Sequence, residues 1–319
     1  MRPLPDPSTT RVSGPWTHHD VSANGISLHI ASAGEGPLVL FVHGFPEFWW
    51  SWRGQLLALA DAGFRAVAVD LRGYGDSDKP PRGYDGWTLA GDLAGLIKAM
   101  GERRAALVGH GWGGLLAWTT AALHPRLVSS LSVLSAPHPL ALRRALALGL
   151  TRPWRQAERA QLTAAGHLFR AQLPTLPEAW LTKDGAATVE RLIRSWSGPK
   201  WQTAPEFEEV VRRNRAAMLV PGAAHSALEY YRWAVRSQLR GEGGRFAEAV
   251  DRRLPVPVLR VQGRLDPWMR ASTSAASTAW TGPNSIYREL PEVGHFPHQE
   301  APHATNRLLI KFLTGELHD

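Results

Sequence analysis

The sequence predicts an α/β fold: a mostly parallel, eight-stranded sheet with helices on both faces and a helical segment inserted after the sixth strand. Three observations carry this expectation. Short, wholly apolar runs alternate with helical patterns over residues 16–135. The alternation stops over residues 139–251, where only helical periodicity is found. It then resumes to the end of the chain. Strands that alternate with helices form parallel pairs, and parallel strands covered on both faces read as continuous apolar runs.

The first two strands are short alternating stretches around Asn24-Gly25, a dipeptide that suits the two left-handed positions of a tight hairpin. The next runs are Leu38-Val39-Leu40-Phe41-Val42, Ala66-Val67-Ala68-Val69, Ala105-Ala106-Leu107-Val108 and Leu131-Ser132-Val133-Leu134. Helical patterns fall between them near 52–62, 89–100 and 115–123. In the second stretch, breaks are expected at Pro153, Pro174, Pro177, Pro199 and the glycines from Gly241 to Gly244. The last strands are 256–261 and 285–290, followed by a helix over 302–313. The expected organisation is a loose tail at 1–15, a body formed by 16–138 and 252–319, and a helical lid at 139–251.

Composition supports a large core and narrows the function. Of 319 residues, 44% are hydrophobic and 20% charged, ordinary values for a globular protein. The apolar runs fall far short of the ~18 residues of a membrane helix, so no membrane partner is expected. The proline-rich start lacks the apolar stretch of a secretory signal. There is no cysteine, which excludes disulfides and thiolate metal sites and fits a cytoplasmic location. Seven of the eight net positive charges lie in residues 140–250, which hold 17 basic and 10 acidic residues. They read as arginine-rich exposed helices; a cationic face that draws acidic ligands is the alternative. There is no basic block, so no nucleic-acid partner is expected.

Five motifs each follow a strand, where ligands of open α/β sheets bind. The strongest is Gly109-His110-Gly111-Trp112-Gly113-Gly114, between an apolar strand and a helix. That is the context of a nucleophile elbow, whose middle residue is lifted into the site at positive φ. His43-Gly44-Phe45-Pro46-Glu47-Phe48-Trp49 follows the third strand. Phe45 there and Trp112 after the elbow can offer backbone N–H groups to an oxyanion. The Phe45–Pro46 bond is expected to be cis. The loop from Asp70 to Asp78 reads as structural, with Asp76 and Asp78 as loop formers. Gly263-Arg264-Leu265-Asp266-Pro267 and Gly294-His295-Phe296-Pro297 complete the order elbow, acid, histidine. An acid that orients an imidazole base is the support unit of nucleophilic catalysis. His43 and His110 read as turn-packing residues without an acid or histidine at metal spacing, so no metal is expected. His43, Pro46, Trp49, Trp50, Trp112 and Tyr230 are expected to line the pocket.

Together these motifs resemble the epoxide hydrolase family of the α/β-hydrolase superfamily, over about 16–313. The resemblance rests on His43-Gly44-Phe45-Pro46, on Trp112 after the elbow tip, and on Glu229-Tyr230-Tyr231-Arg232. It implies His295 as the catalytic histidine and Asp266 as its orienting acid. It implies Tyr231 as a donor to the epoxide oxygen, with Tyr230 beside it a packing residue. The family's second donor tyrosine stands five residues before a Gln-x-Pro segment; here that segment is Gln172-Leu173-Pro174 and the position holds His167. No cofactor is implied, and a monomer or homodimer acting on a small molecule is expected.

The sequence departs from the family at one decisive position. The family's elbow aspartate, which forms a covalent ester with the substrate, is Gly111 here. Glycine closes that route, relieves the elbow's backbone strain and leaves room for a water beside His295. Three readings follow: hydrolysis of a small epoxide, a different hydrolysis run by His-activated water, or a non-catalytic protein that binds a small ligand in the same pocket. A serine esterase and a dehalogenase are disfavoured, since the elbow carries neither serine nor aspartate.

Overall fold

In a computed structural model, which describes residues 4–317, the eight strands form one sheet. They are β1 Thr17–Ala23, β2 Ile26–Ala33, β3 Leu38–Val42, β4 Arg65–Val69, β5 Ala105–His110, β6 Val128–Leu134, β7 Val258–Gly263 and β8 Ser285–Leu290. The spatial order is β1-β2-β4-β3-β5-β6-β7-β8. β1 pairs antiparallel with β2 and β2 antiparallel with β4; every other pairing is parallel. The hairpin turns at Asn24 and Gly25, both at positive φ. This is the α/β-hydrolase fold that the sequence predicts.

The apolar runs are central because every residue of β3, β5 and β7 is buried. Helices Arg53–Asp61, Gly86–Ala99, Gly111–Leu123 and Pro302–Leu313 lie between or after the strands. Between β6 and β7 the described chain contains helices and no strand, from Pro139–Thr151 to Gly241–Val250.

Several local expectations need correction. Pro177 and Gly241 open helices rather than break them. Pro177 stands in the first turn of Leu176–Trp196, where a proline's missing N–H costs nothing. The interruption of that helix instead falls at Lys183–Ala186. The stretch expected to be a loose tail is anchored within its described part. Asp6 caps a 3-10 turn at Pro7–Thr10, Thr10 is buried, and its carbonyl accepts from the Trp49 indole N–H at 2.9 Å. The Phe45–Pro46 bond is cis.

Candidate active site

β5 ends at His110 and the next helix starts at once with Gly111, at φ +50°. The turn closes tightly because Gly113 has no side chain. A Cβ there would stand 2.2 Å from the Val42 carbonyl oxygen and 2.3 Å from that of His43. At Gly111 the space is open. Among the described residues outside its own turn, a Cβ would meet the His295 Nε2 at 3.5 Å and the Gly44 Cα at 3.8 Å within 4 Å. The elbow thus points its missing side chain at an imidazole.

That imidazole is held firmly. His295 Nδ1 donates to Asp266 Oδ2 at 2.8 Å, and both residues are buried. Asp266 has the rest of its oxygens occupied. Oδ1 accepts from the Trp268 and Met269 backbone N–H groups at 2.9 and 2.8 Å, and Oδ2 also accepts from Gln262 Nε2 at 3.1 Å. With the Nδ1 proton committed to Asp266, Nε2 carries the lone pair and faces Gly111. Nε2 has no hydrogen-bond partner among the described residues. The loop is fixed from the helical segment as well: the His295 N–H donates to the Trp196 carbonyl at 2.8 Å. Glu300 accepts from the N–H groups of Gly198, Gly294 and Phe296 at 2.8, 2.7 and 2.9 Å.

His110 is more than a packing residue. Its Nδ1 meets Glu47 Oε2 at 2.6 Å and its Nε2 donates to the His295 carbonyl at 2.7 Å. His298 Nε2 and Gln299 Nε2 reach Glu47 Oε1 at 3.0 and 2.7 Å. The expectation that His110 lacks an acid or histidine partner is therefore overturned. One donor atom each of Glu47, His110 and His298 lies within 4.8 Å of the others, but these atoms are engaged with one another. Burial opposes ionisation of Glu47, and the two histidines overcome it, holding its carboxyl well below the usual range. Burial likewise opposes a charge on His110, and Glu47 outweighs it, raising that imidazole's pKa. The result is a buried ion pair behind the elbow. His43 does pack a turn: its Nδ1 donates to the Gly44 carbonyl and its Nε2 accepts from the Leu71 N–H.

The two adjacent tyrosines diverge. The Tyr230 hydroxyl donates to the Arg72 carbonyl at 2.8 Å, a packing role. The Tyr231 ring stands 5.0 Å from Trp112, 5.3 Å from Phe45 and 5.7 Å from His167 between centroids. Its hydroxyl has no acceptor among the described residues. Burial raises its pKa above the usual phenol value, so it keeps its proton. His167 accepts from the Trp268 indole N–H at 2.9 Å on Nδ1. An indole N–H only donates, so the proton of a neutral His167 sits on Nε2. Burial pushes that imidazole down to about 3, which keeps it neutral. Its Nε2 is buried without a partner. Tyr231 and His167 are therefore two adjacent donors with nothing to donate to.

Neither the Phe45 nor the Trp112 backbone N–H has an acceptor among the described residues. Two cavities adjoin these groups. A cavity of about 140 Å³ is lined by Phe45, His167 and Tyr231, among others. A larger one, about 550 Å³, is lined by Trp112, Leu168, Tyr230, Trp268 and further apolar side chains of the helical segment. Trp49 and Trp50 were expected in the pocket wall and are not there. Trp49 is fully buried against Trp16, His18 and His29, and Trp50 lies under Arg53. His43 and Pro46, though buried, line neither cavity. Trp268 lines the larger cavity instead, and the rings of Trp196 and Trp268 stand 5.4 and 5.2 Å from His295. Trp268 was detectable from its position two residues after Asp266; Trp196 carries no local signal.

Known proteins place the fold in a family. Residues 37–302 match the alpha/beta hydrolase fold family. The chain is 33% identical over 301 residues to the AB hydrolase superfamily protein YfhM of Bacillus subtilis, covering 93% of this chain and 97% of that protein. It is 33% identical over 330 residues to epoxide hydrolase A of Mycobacterium tuberculosis, covering 95% and 98%. Among solved structures it is similar to an epoxide hydrolase of Bacillus megaterium in complex with an inhibitor. There the TM-score is 0.77 at 27% identity, covering 93% of this chain and all of that one. The chain belongs to the epoxide hydrolase family of the α/β hydrolases.

Proposed function

We propose that the protein opens epoxides to diols with a water molecule placed where the elbow side chain is missing. The observation that carries this reading is the line from Gly111 to His295 to Asp266: an open position 3.5 Å from an imidazole whose other nitrogen is bound by a buried carboxylate. His295 Nε2 takes a proton from the water as it attacks an epoxide carbon. The ring C–O bond breaks, and the developing oxyanion receives a proton from Tyr231, with His167 Nε2–H as the second donor. Both donors sit in a buried wall, where hydrogen bonds to a forming charge are strongest. Helices 139–250 act as the lid. The 550 Å³ chamber beyond Trp112 has the size of a site for a drug-sized ligand. It points to a bulkier apolar substituent than the small substrate expected from sequence. No cofactor enters the scheme.

The test is diol formation from an aryl or long-chain epoxide, above the uncatalysed rate and with inversion at the attacked carbon. Tyr231→Phe lowers kcat by about 10²-fold or more with little change in KM, the range for loss of a general acid. Absence of any diol from a panel of such epoxides overturns the reading. It leaves ligand binding without turnover, which Gly111 itself favours because no protein nucleophile stands at the elbow.

A second expected outcome concerns Asp266. In Asp266→Asn the amide can donate to His295 Nδ1, which shifts the imidazole proton to Nε2. His295 then has no lone pair toward the water. Diol formation falls by about 10²–10⁴-fold while the fold persists. Activity within threefold of the parent, measured by initial rates, contradicts the role.

A further inference from the structure

We infer that the void at Gly111 is a binding site for a small monocarboxylate, which there replaces the missing side chain as nucleophile. Three features of the chain's own residues converge on it. The Trp112 N–H opens the 13-residue helix Gly111–Leu123, and the Phe45 N–H lies beside Gly44; neither has a protein acceptor. Two unpaired N–H groups, one at a helix N-terminus, make a cradle for negative charge. The third feature is independent of the backbone. His295 is 2% exposed, and its Nε2, without a partner among the described residues, lies 3.5 Å from where a Gly111 Cβ would stand; its lone pair accepts the O–H of a carboxylic acid and takes that proton as the carboxylate forms beside it. Among the described residues outside its own turn, the other atom within 4 Å of that point is the Gly44 Cα, so the position is open to the carboxyl carbon of a small acid. The rings of Trp196 and Trp268, 5.4 and 5.2 Å from His295, flank its imidazole with apolar faces and disfavour larger polar anions.

The inference rests on the epoxide reading for its chemical half. A carboxylate oxygen forms a bond to an epoxide carbon, and the ring C–O bond breaks with its electron pair going to the ring oxygen. That oxygen takes the Tyr231 hydroxyl proton, and Tyr231 regains one from water. The net change is epoxide plus carboxylic acid to a neutral hydroxyalkyl ester. Unlike the ester of the family reaction, this one is not attached to the chain and can leave.

The experiment uses ¹³C-formate at constant ionic strength. Formate line broadening reports binding, and mass analysis of products reports the ester. Gly111→Asp carries its own carboxylate and is the control. The expected result is saturable binding on the order of 10 mM, the weak end of the affinity scale, in the parent and none in Gly111→Asp. Ester formation from epoxide then rises at least about tenfold with formate, as positioning demands. Chloride at equal ionic strength gives no ester. Absence of saturable formate binding in the parent overturns the site. Binding without ester, using an epoxide that Gly111→Asp consumes, overturns its role as nucleophile. If Gly111→Asp consumes no epoxide either, the epoxide reading fails, while formate binding still decides the anion site on its own.

Discussion

Gly111→Asp is expected to convert this protein into an epoxide hydrolase of the covalent kind, with the largest rate change of any single substitution. The new Cβ points at His295 Nε2 from 3.5 Å, and among the described residues outside its own turn the Gly44 Cα is the other atom within 4 Å. A carboxylate there lies beside the Phe45 and Trp112 N–H groups, and His295 with Asp266 is in place to activate water against the ester. A tethered, oriented group has effective molarities of about 10⁵ M or more. Turnover is therefore expected to rise on the order of 10³-fold over the parent, and mass spectrometry of the quenched protein should show an adduct at residue 111. The substitution has an opposing cost. A non-glycine residue at φ +50° stores roughly 1–3 kcal/mol. Gly111→Ala carries the same strain without the carboxylate. Both variants should melt a few degrees below the parent, about 2–4 °C per kcal/mol for chains of 150–250 residues and less for this longer one. Only the aspartate variant should gain activity. An aspartate variant that folds, melts like the alanine variant and forms no adduct refutes the geometry.

The parts legible in the sequence share a physical reason. β3 matches its apolar run to the residue because all five of its residues are buried, which leaves a local signature; β8 and Pro302–Leu313 also fall on the ranges expected of them, although only Ile286 of β8 is buried. Gly111, Asp266 and His295 were readable because backbone turns impose glycines and strand order at fixed places. What was not readable depends on side-chain direction and on long-range pairing. Glu47 meets His110 across 63 residues and His298 across 251, and no local pattern encodes that meeting. Trp49 and Trp50 sit in the right loop but turn into the body, where Trp49 finds the Thr10 carbonyl. Trp196, from the helical segment, packs against His295 instead. The helix after β5 starts at Gly111 rather than at Leu115, since three nearby glycines look like a loop until the close approach of Gly113 to the end of β3 is seen.

Acid should unfold this protein far more steeply than its net charge suggests. Three histidines are held neutral by burial: His138 pushed down to about 3, His167 to about 3 and His298 to about 4. His138 is wholly buried, stacks on Trp280 at 4.4 Å and leaves its Nε2 unpartnered. His298 is buried against Trp52, and burial outweighs the pull of Glu47. In the unfolded chain each protonates near pH 6.5. The folded state thus binds fewer protons, and stability is lost as pH falls from about 6.5 toward the folded values. His167 borders a cavity and contributes less than the other two. Two to three protons give a slope of about 3–4 kcal/mol per pH unit. Against a total stability of about 5–15 kcal/mol, cooperative unfolding is expected on the order of pH 4.5. The His110–Glu47 pair has the opposite sign. With its pKa raised, His110 contributes stability that is complete below pH 6.5 and is lost as pH rises through its folded value. Stability should therefore peak near neutrality. Urea midpoints from pH 7.5 to 4.5 measure the slope. His138→Asn keeps an acceptor for the Leu140 N–H and removes one titrating group, so its slope should be shallower by about 1.4 kcal/mol per pH unit. Midpoints that stay flat from pH 7 to 5, or an unchanged slope in that variant, would place these histidines in contact with water and not in the core.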